Sequence, residues 1–128
     1  MRLLLDTHAL LWWLDGDRRM SKRARTLVGR DTNEVFVSAA SAWEISTKSR
    51  LGKLPGAADV AADIPGAVAN QGFLPLAITL QHAQRAGQLT TQHRDPFDRM
   101  LAAQALIEGL PIVSNDEALD VFELTRLW

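Results

Sequence analysis

The 128 residues carry 14 Lys and Arg against 15 Asp and Glu, a net charge of −1, so no global positive field marks a nucleic-acid partner and any such partner must be met by local basic groups. The absence of cysteine excludes disulfides and thiolate metal sites and suits a reducing, cytoplasmic setting. An apolar content of 47% without low-complexity tracts fits one ordered domain over residues 1–128, with a sizeable core, no export signal and no membrane span.

The chain opens MRLLLDTHALLWWLDGD, and its first apolar run, Leu3 to Leu5, stops at Asp6. Further short apolar runs fall at Val35 to Val37, Phe73 to Ile78, Pro111 to Val113 and, more weakly, Val121 to Leu124. Their low charge is the pattern of strands covered on both faces of a parallel sheet. Between them, helical periodicity covers about 8–15, 21–28, 39–50, 57–69, 79–89 and 96–108, with a short helix near 116–120. Ser21 is placed to cap the second helix. Asp95 followed by Pro96 opens the long helix that Gly109 and Pro111 close. Alternating strands and helices specify an α/β fold with right-handed crossovers.

Ligands of open parallel sheets gather beyond the carboxyl ends of the strands. Asp6 ends the first strand and Asp116 follows the fourth. Glu44 lies in the helix after the second strand, and Asp98 in the first turn of the helix that leads to the fourth. The topology therefore brings all four acids to one rim. Each also has a local use: Asp6 and Asp116 as helix caps, Glu44 in a capping-box spacing from Ser41 and an ion-pair spacing to Lys48, Asp98 at a helix N-terminus.

Two features favour a site. The helix after Asp98 is apolar on nearly every side, and positions 98, 101, 102 and 105 share one face, so Asp98 continues a buried stripe. Asp6 ends a central strand, where solvation is poor. Crowded carboxylates repel by several kcal/mol at an effective dielectric of about 20, and need a cation or shared protons. All-oxygen ligands suit Mg²⁺ or Mn²⁺.

The segments LLLDTH, WEISTKSRLGKL, DPFDRMLAAQA and IVSND, in this order and spacing, resemble the PIN-domain ribonucleases, most closely the VapC-type toxins of toxin–antitoxin pairs. The resemblance covers essentially the whole chain. It implies a three-layer α/β/α fold around a parallel sheet of about five strands, and RNA cleavage with Mg²⁺ or Mn²⁺. The family's acids fall on Asp6, Glu44, Asp98 and Asp116, with Asp6 and Asp98 the principal metal ligands and Asp95 left to the helix cap. Water activated at such a site leaves a 5′-phosphate and a 3′-hydroxyl. Thr7 and Ser114 are the hydroxyls expected to orient the carboxylates. A homodimer and a small VapB-like antitoxin laid across the acidic groove are the implied partners.

Lys48, Arg50 and Lys53 follow Glu44, while His93, Arg94 and Arg99 flank Asp98; of these, Lys48 and Arg99 are the expected RNA contacts. His8 and His93 are read as hydrogen-bonding neighbours of the acids, and His82 has less claim to a functional role. Trp12 and Trp13, adjacent on a helix, cannot both face one core, so one is expected to mark an interaction surface; Trp43 is also read as packing. A haloacid-dehalogenase-type phosphatase needs an acid where His8 stands, and a receiver domain needs one where SAAS follows the second strand. The rival reading is a PIN-like module that binds RNA or protein without cleaving.

Overall fold

A computed structural model describes all 128 residues. Five parallel strands, β1 (Arg2–Leu5), β2 (Glu34–Ser38), β3 (Leu74–Leu76), β4 (Ile112–Val113) and β5 (Arg126–Leu127), form one sheet in the order β3-β2-β1-β4-β5. The helices are α1 (Thr7–Asp15), α2 (Lys22–Gly29), α3 (Ala39–Arg50), α4 (Ala58–Ala62), α5 (Ile64–Asn70), α6 (Leu80–Gln88) and α7 (Pro96–Glu108), followed by a 3-10 helix over Glu117–Phe122. This is the expected α/β class. None of the helices is long and apolar enough to cross a membrane.

β1 is central, with Leu5 opposite Val37 on one side and Val113 on the other. Successive strand residues point to opposite faces, which sorts the core into two layers. Leu3, Leu5, Val35 and Val37 join α1, α2 and α5 in one cluster, whereas Leu4 and Ile112 meet Leu101, Ala102 and Ala105 of α7 in the other. Leu3, Leu4 and Leu5 are fully buried, so β1 is solvent-free from its second residue to its carboxyl end.

A buried polar chain locks α6 and α7 onto the sheet. Ser38 Oγ donates to Gln104 Oε1 (2.5 Å), and Gln104 Nε2 donates to the Ala77 carbonyl (3.3 Å). His82 Nδ1 accepts the Thr79 N–H (3.1 Å), which leaves the ring proton on Nε2 for Glu108 Oε1, 2.9 Å away. His82 is thus structural, as its sequence context suggests.

Three local expectations need correction. The helix read over 57–69 is two helices, because Pro65 has no N–H to continue the ladder and Asp63 Oδ1 takes the Gly66 N–H (3.0 Å), capping α5 afresh. The fifth strand is not Val121 to Leu124. Leu119 and Phe122 are buried at a spacing of three residues, which is a 3-10 period, and Glu123 turns left-handed (φ 60°) before the chain becomes β5. Finally, both Trp12 and Trp13 pack on the first cluster, Trp13 with its Nε1 donating to Gln71 Oε1 (2.9 Å). The exposed tryptophan is Trp43, which meets Phe97 edge-on at 5.0 Å between ring centres.

Candidate active site

Asp6 follows β1 directly and does two things at once. Its Oδ1 accepts the Ala9 N–H (2.7 Å), capping α1, and its side chain stays buried at the carboxyl end of the sheet. Burial pushes its pKa up to about 6; the Ser114 hydroxyl and the Ala9 N–H oppose the rise, and the charge of Asp98 adds to it. Asp6 is a cap and a strained carboxylate together.

Glu44 is also buried, two turns into α3. Thr7 Oγ1 donates to Glu44 Oε1 at 2.5 Å, while Glu44 Oε2 forms an ion pair with Lys48. The Ser41 and Thr7 hydroxyls are 3.1 Å apart; Thr7 has one proton, committed to Glu44, so Ser41 supplies the hydrogen of that second bond. Ser41 is therefore not the cap its spacing from Glu44 suggests. Ser38 caps α3 through the Ala40 N–H (3.0 Å), and Ser41 buttresses Thr7. The Lys48 ammonium is opposed by burial, yet the hydrogen bond and charge of Glu44 outweigh that and hold its pKa above the ordinary value, with Asp95 and Asp98 adding to the pull. Lys48 also stands 5.9 Å from the centre of the Phe97 ring.

Asp98 sits in the first turn of α7, where Asp95 Oδ1 accepts the Phe97 and Asp98 N–H groups (2.9 and 3.1 Å). This leaves the Asp98 carboxylate free to meet His93 Nε2 at 2.9 Å. Burial raises the Asp98 pKa; the His93 hydrogen bond opposes that, and the charges of Asp95 and Glu44 reinforce it. Electrostatic coupling therefore runs from Asp6 to Asp98 and from Asp98 to Glu44.

Asp116 is exposed and caps the 3-10 helix, its Oδ1 accepting the Ala118 N–H (3.0 Å). It is tied to the others through Ser114, whose Oγ accepts the Asp116 N–H (3.0 Å) and whose hydroxyl also acts on Asp6. As the side chains stand, no three of the acidic and His groups are gathered to hold a metal ion, because each acid is turned toward a local partner.

Arg99 is not the free phosphate contact that its sequence neighbours suggest. Its guanidinium directs Nε, Nη1 and Nη2 onto the carbonyls of Ala86, Leu89, Thr91 and His93 through five bonds of 2.6 to 3.3 Å. Nothing in the sequence pattern distinguishes such a loop clamp from a surface arginine. His8 is exposed beside Trp12, with 5.7 Å between ring centres.

The family model for the PIN domain matches residues 3–123. The chain belongs to the PIN domain family. Ribonuclease VapC16 of Mycobacterium tuberculosis is 40% identical over 58 residues, a stretch that makes up 45% of this PIN domain and 41% of that relative. Among solved structures, VapBC2 from Rickettsia felis, bound to a DNA fragment from their promoter, is similar at a TM-score of 0.72 and 13% identity, covering 99% of this chain and 98% of that one. FitAcB from Neisseria gonorrhoeae is similar at 0.64 and 18% identity, covering 100% and 97%. VapBC-1 from nontypeable Haemophilus influenzae is similar at 0.65 and 13% identity, covering 99% and 97%. At these identities the structural likeness concerns the fold.

Proposed function

We propose that this PIN domain is a metal-dependent endoribonuclease, the toxin of a VapBC-type pair, acting in the cytoplasm as a homodimer and restrained by a VapB-like antitoxin. The observation that carries the reading is the electrostatic link among three acids near the carboxyl end of the sheet: the charge of Asp98 raises the proton affinity of Asp6, and that of Glu44 raises the proton affinity of Asp98. The partial likeness to a ribonuclease and the fold shared with toxin–antitoxin proteins support it.

The donor set fits a hard divalent cation: it is all carboxylate, partly desolvated and mutually repelling. Asp6 and Asp98 would hold the ion, with Glu44 and Asp116 completing the charge. A divalent ion held there, Mg²⁺ or Mn²⁺, would supply a lowered pKa for water and polarisation of a phosphate oxygen. The protein's own groups do the rest. Thr7 fixes Glu44 and Ser41 buttresses Thr7, Ser114 favours the charged form of Asp6 and holds the loop to Asp116, and His93 orients Asp98. Lys48 places a positive charge among Glu44, Asp95 and Asp98, where it can meet a phosphate of the strand.

The non-cleaving module is favoured by one observation, that every acid already has a partner within the chain. Purified protein incubated with total cellular RNA separates the two readings. Discrete products with 5′-phosphate ends, formed with Mg²⁺ or Mn²⁺ and lost with chelator and in folded Asp6→Asn and Asp98→Asn variants, establish the nuclease. RNA binding without cleavage under all metals establishes the module.

A further inference from the structure

The loop between α6 and α7 has an unusual division of its polar groups. Its carbonyls at Leu89, Thr91 and His93, together with Ala86 at the end of α6, turn onto the Arg99 guanidinium. No backbone N–H from Thr90 to Asp95 finds an acceptor within the chain. A run of uncommitted amides beside a half-buried guanidinium supplies free donors and positive charge, both of which favour an anion.

Beside it lies a cavity of about 560 Å³ lined by Thr91, Gln92, His93, Arg94 and Arg99, with no hydrophobic side chain. Arg94 is exposed and takes part in none of the chain's ion pairs. Thr91 Oγ1 is an enclosed side-chain oxygen with no hydrogen-bond partner. Such an orphan disfavours the folded state and calls for an explanation. The acids nearby are engaged elsewhere, Asp95 on the Phe97 and Asp98 amides and Asp98 on His93.

We propose that the segment Thr90–Asp95 is a phosphodiester subsite, which holds a backbone phosphate of the RNA strand adjacent to the one at the acidic rim. The proposal deepens the nuclease reading and rests on it for the identity of the strand. The ligands are the Arg94 guanidinium, the Thr91 hydroxyl and the loop amides. Arg99, whose N–H groups are spent on carbonyls, is a positioning residue that shapes the loop and adds its charge. Recognition of this kind sets register along the strand without reading bases.

The test follows the backbone amide resonances of the full chain as inorganic phosphate is added at constant ionic strength, and separately as a short single-stranded RNA is added with chelator present. Saturable shifts confined to Thr90–Asp95 with both probes, lost in Arg94→Gln and weakened in Thr91→Val, support the subsite. In the cleavage assay, Arg94→Gln is expected to raise KM roughly tenfold. It should also make the dependence of log KM on log salt shallower by about 0.7. Thr91→Val removes an unpaired hydroxyl, so it keeps or gains thermal stability while losing phosphate affinity; a merely structural threonine would not separate the two. Shifts centred elsewhere, or unchanged in both variants, overturn the proposal. Shifts with inorganic phosphate but none with RNA would make it a site for free phosphate and overturn the assignment to the strand. Phosphate and RNA titrating the loop while the wild type cleaves nothing would support the subsite and count against the nuclease reading alone.

Discussion

Thr7 Oγ1 stands 2.5 Å from Glu44 Oε1, joining the first residue of α1 to the middle of α3 across a buried space. The contact links the residue after one candidate ligand, Asp6, to the side chain of another. Thr7→Val keeps the shape and β-branching but leaves a buried carboxylate oxygen without its donor. The expected loss is about 1–3 kcal/mol of unfolding free energy, read by denaturant titration. Cleavage should fall about 10- to 100-fold, as when a group that orients a metal ligand is removed. Thr7→Ser restores most of both. Equal stability and activity in Thr7→Val would show that Glu44 needs no orienting.

Lys48 and Glu44 form an i,i+4 pair in which the Glu44 side chain is 6% exposed and the Lys48 side chain 29%. Lys48→Met strands the buried charge of Glu44 and is expected to destabilise the fold by about 1–3 kcal/mol. Glu44→Gln alone leaves an ammonium that reaches solvent and costs less. The double variant should be more stable than Lys48→Met, and a thermal-unfolding cycle over the four proteins measures the coupling. Additive effects would remove the pair from the site's energetics.

Arg99 is the clamp of the α6–α7 loop, and no other residue type has a planar fork of five donors to match its five carbonyl bonds. Arg99→Lys keeps the charge and loses most of the bonds. Its expected effect is about 2–3 kcal/mol of destabilisation, with faster amide hydrogen exchange concentrated at the C-terminal end of α6 and the first turn of α7. Uniform exchange across the domain would contradict a local clamp.

These residues also mark where the sequence is legible. The alternation of short apolar runs with helical stretches is enough for the sheet, because parallel strands are buried on both faces and their connections are handed. The rim positions of Asp6 and Glu44 follow from chain order, and the Asp95 cap from its Pro96 neighbour. What chain order cannot carry is the direction of a long side chain. Arg99 and Lys48 read alike as basic neighbours of an acid, yet one turns onto carbonyls and the other onto Glu44. β5 is missed for a related reason: two residues, Arg126 and Leu127, have no periodicity, and they form a strand only because Ile112 and Val113 are there to pair with. Ser41 is legible in its spacing from Glu44 and illegible in its partner, Thr7, 34 residues away in the chain.

Asp6 makes the fold pH-sensitive in a direction opposite to a salt-bridged acid. Its carboxyl rises from an ordinary value of 3.8 to about 6 because burial disfavours the charge. Between those values the folded chain holds a proton that the unfolded chain has released, so this group's contribution to stability falls as pH rises from about 4 to about 6 and stays low above. A rise of about two units corresponds to about 3 kcal/mol, an upper figure for what the ionised group withholds at pH 7. Asn keeps the oxygen that accepts the Ala9 N–H and remains a good helix cap. Asp6→Asn should therefore be more stable than the wild type at pH 7.5, by about 1–3 kcal/mol, and no more stable near pH 4. Thermal unfolding across this range checks the sign. The same variant separates folding from ligand binding, since Mg²⁺ or Mn²⁺ at the proposed site should raise the wild-type Tm at pH 7.5, less so at pH 5, and that of Asp6→Asn little at either. A variant less stable than the wild type at pH 7.5 would mean that Asp6 carries its charge comfortably, and the acidic rim would lose the electrostatic strain that argues for a cation.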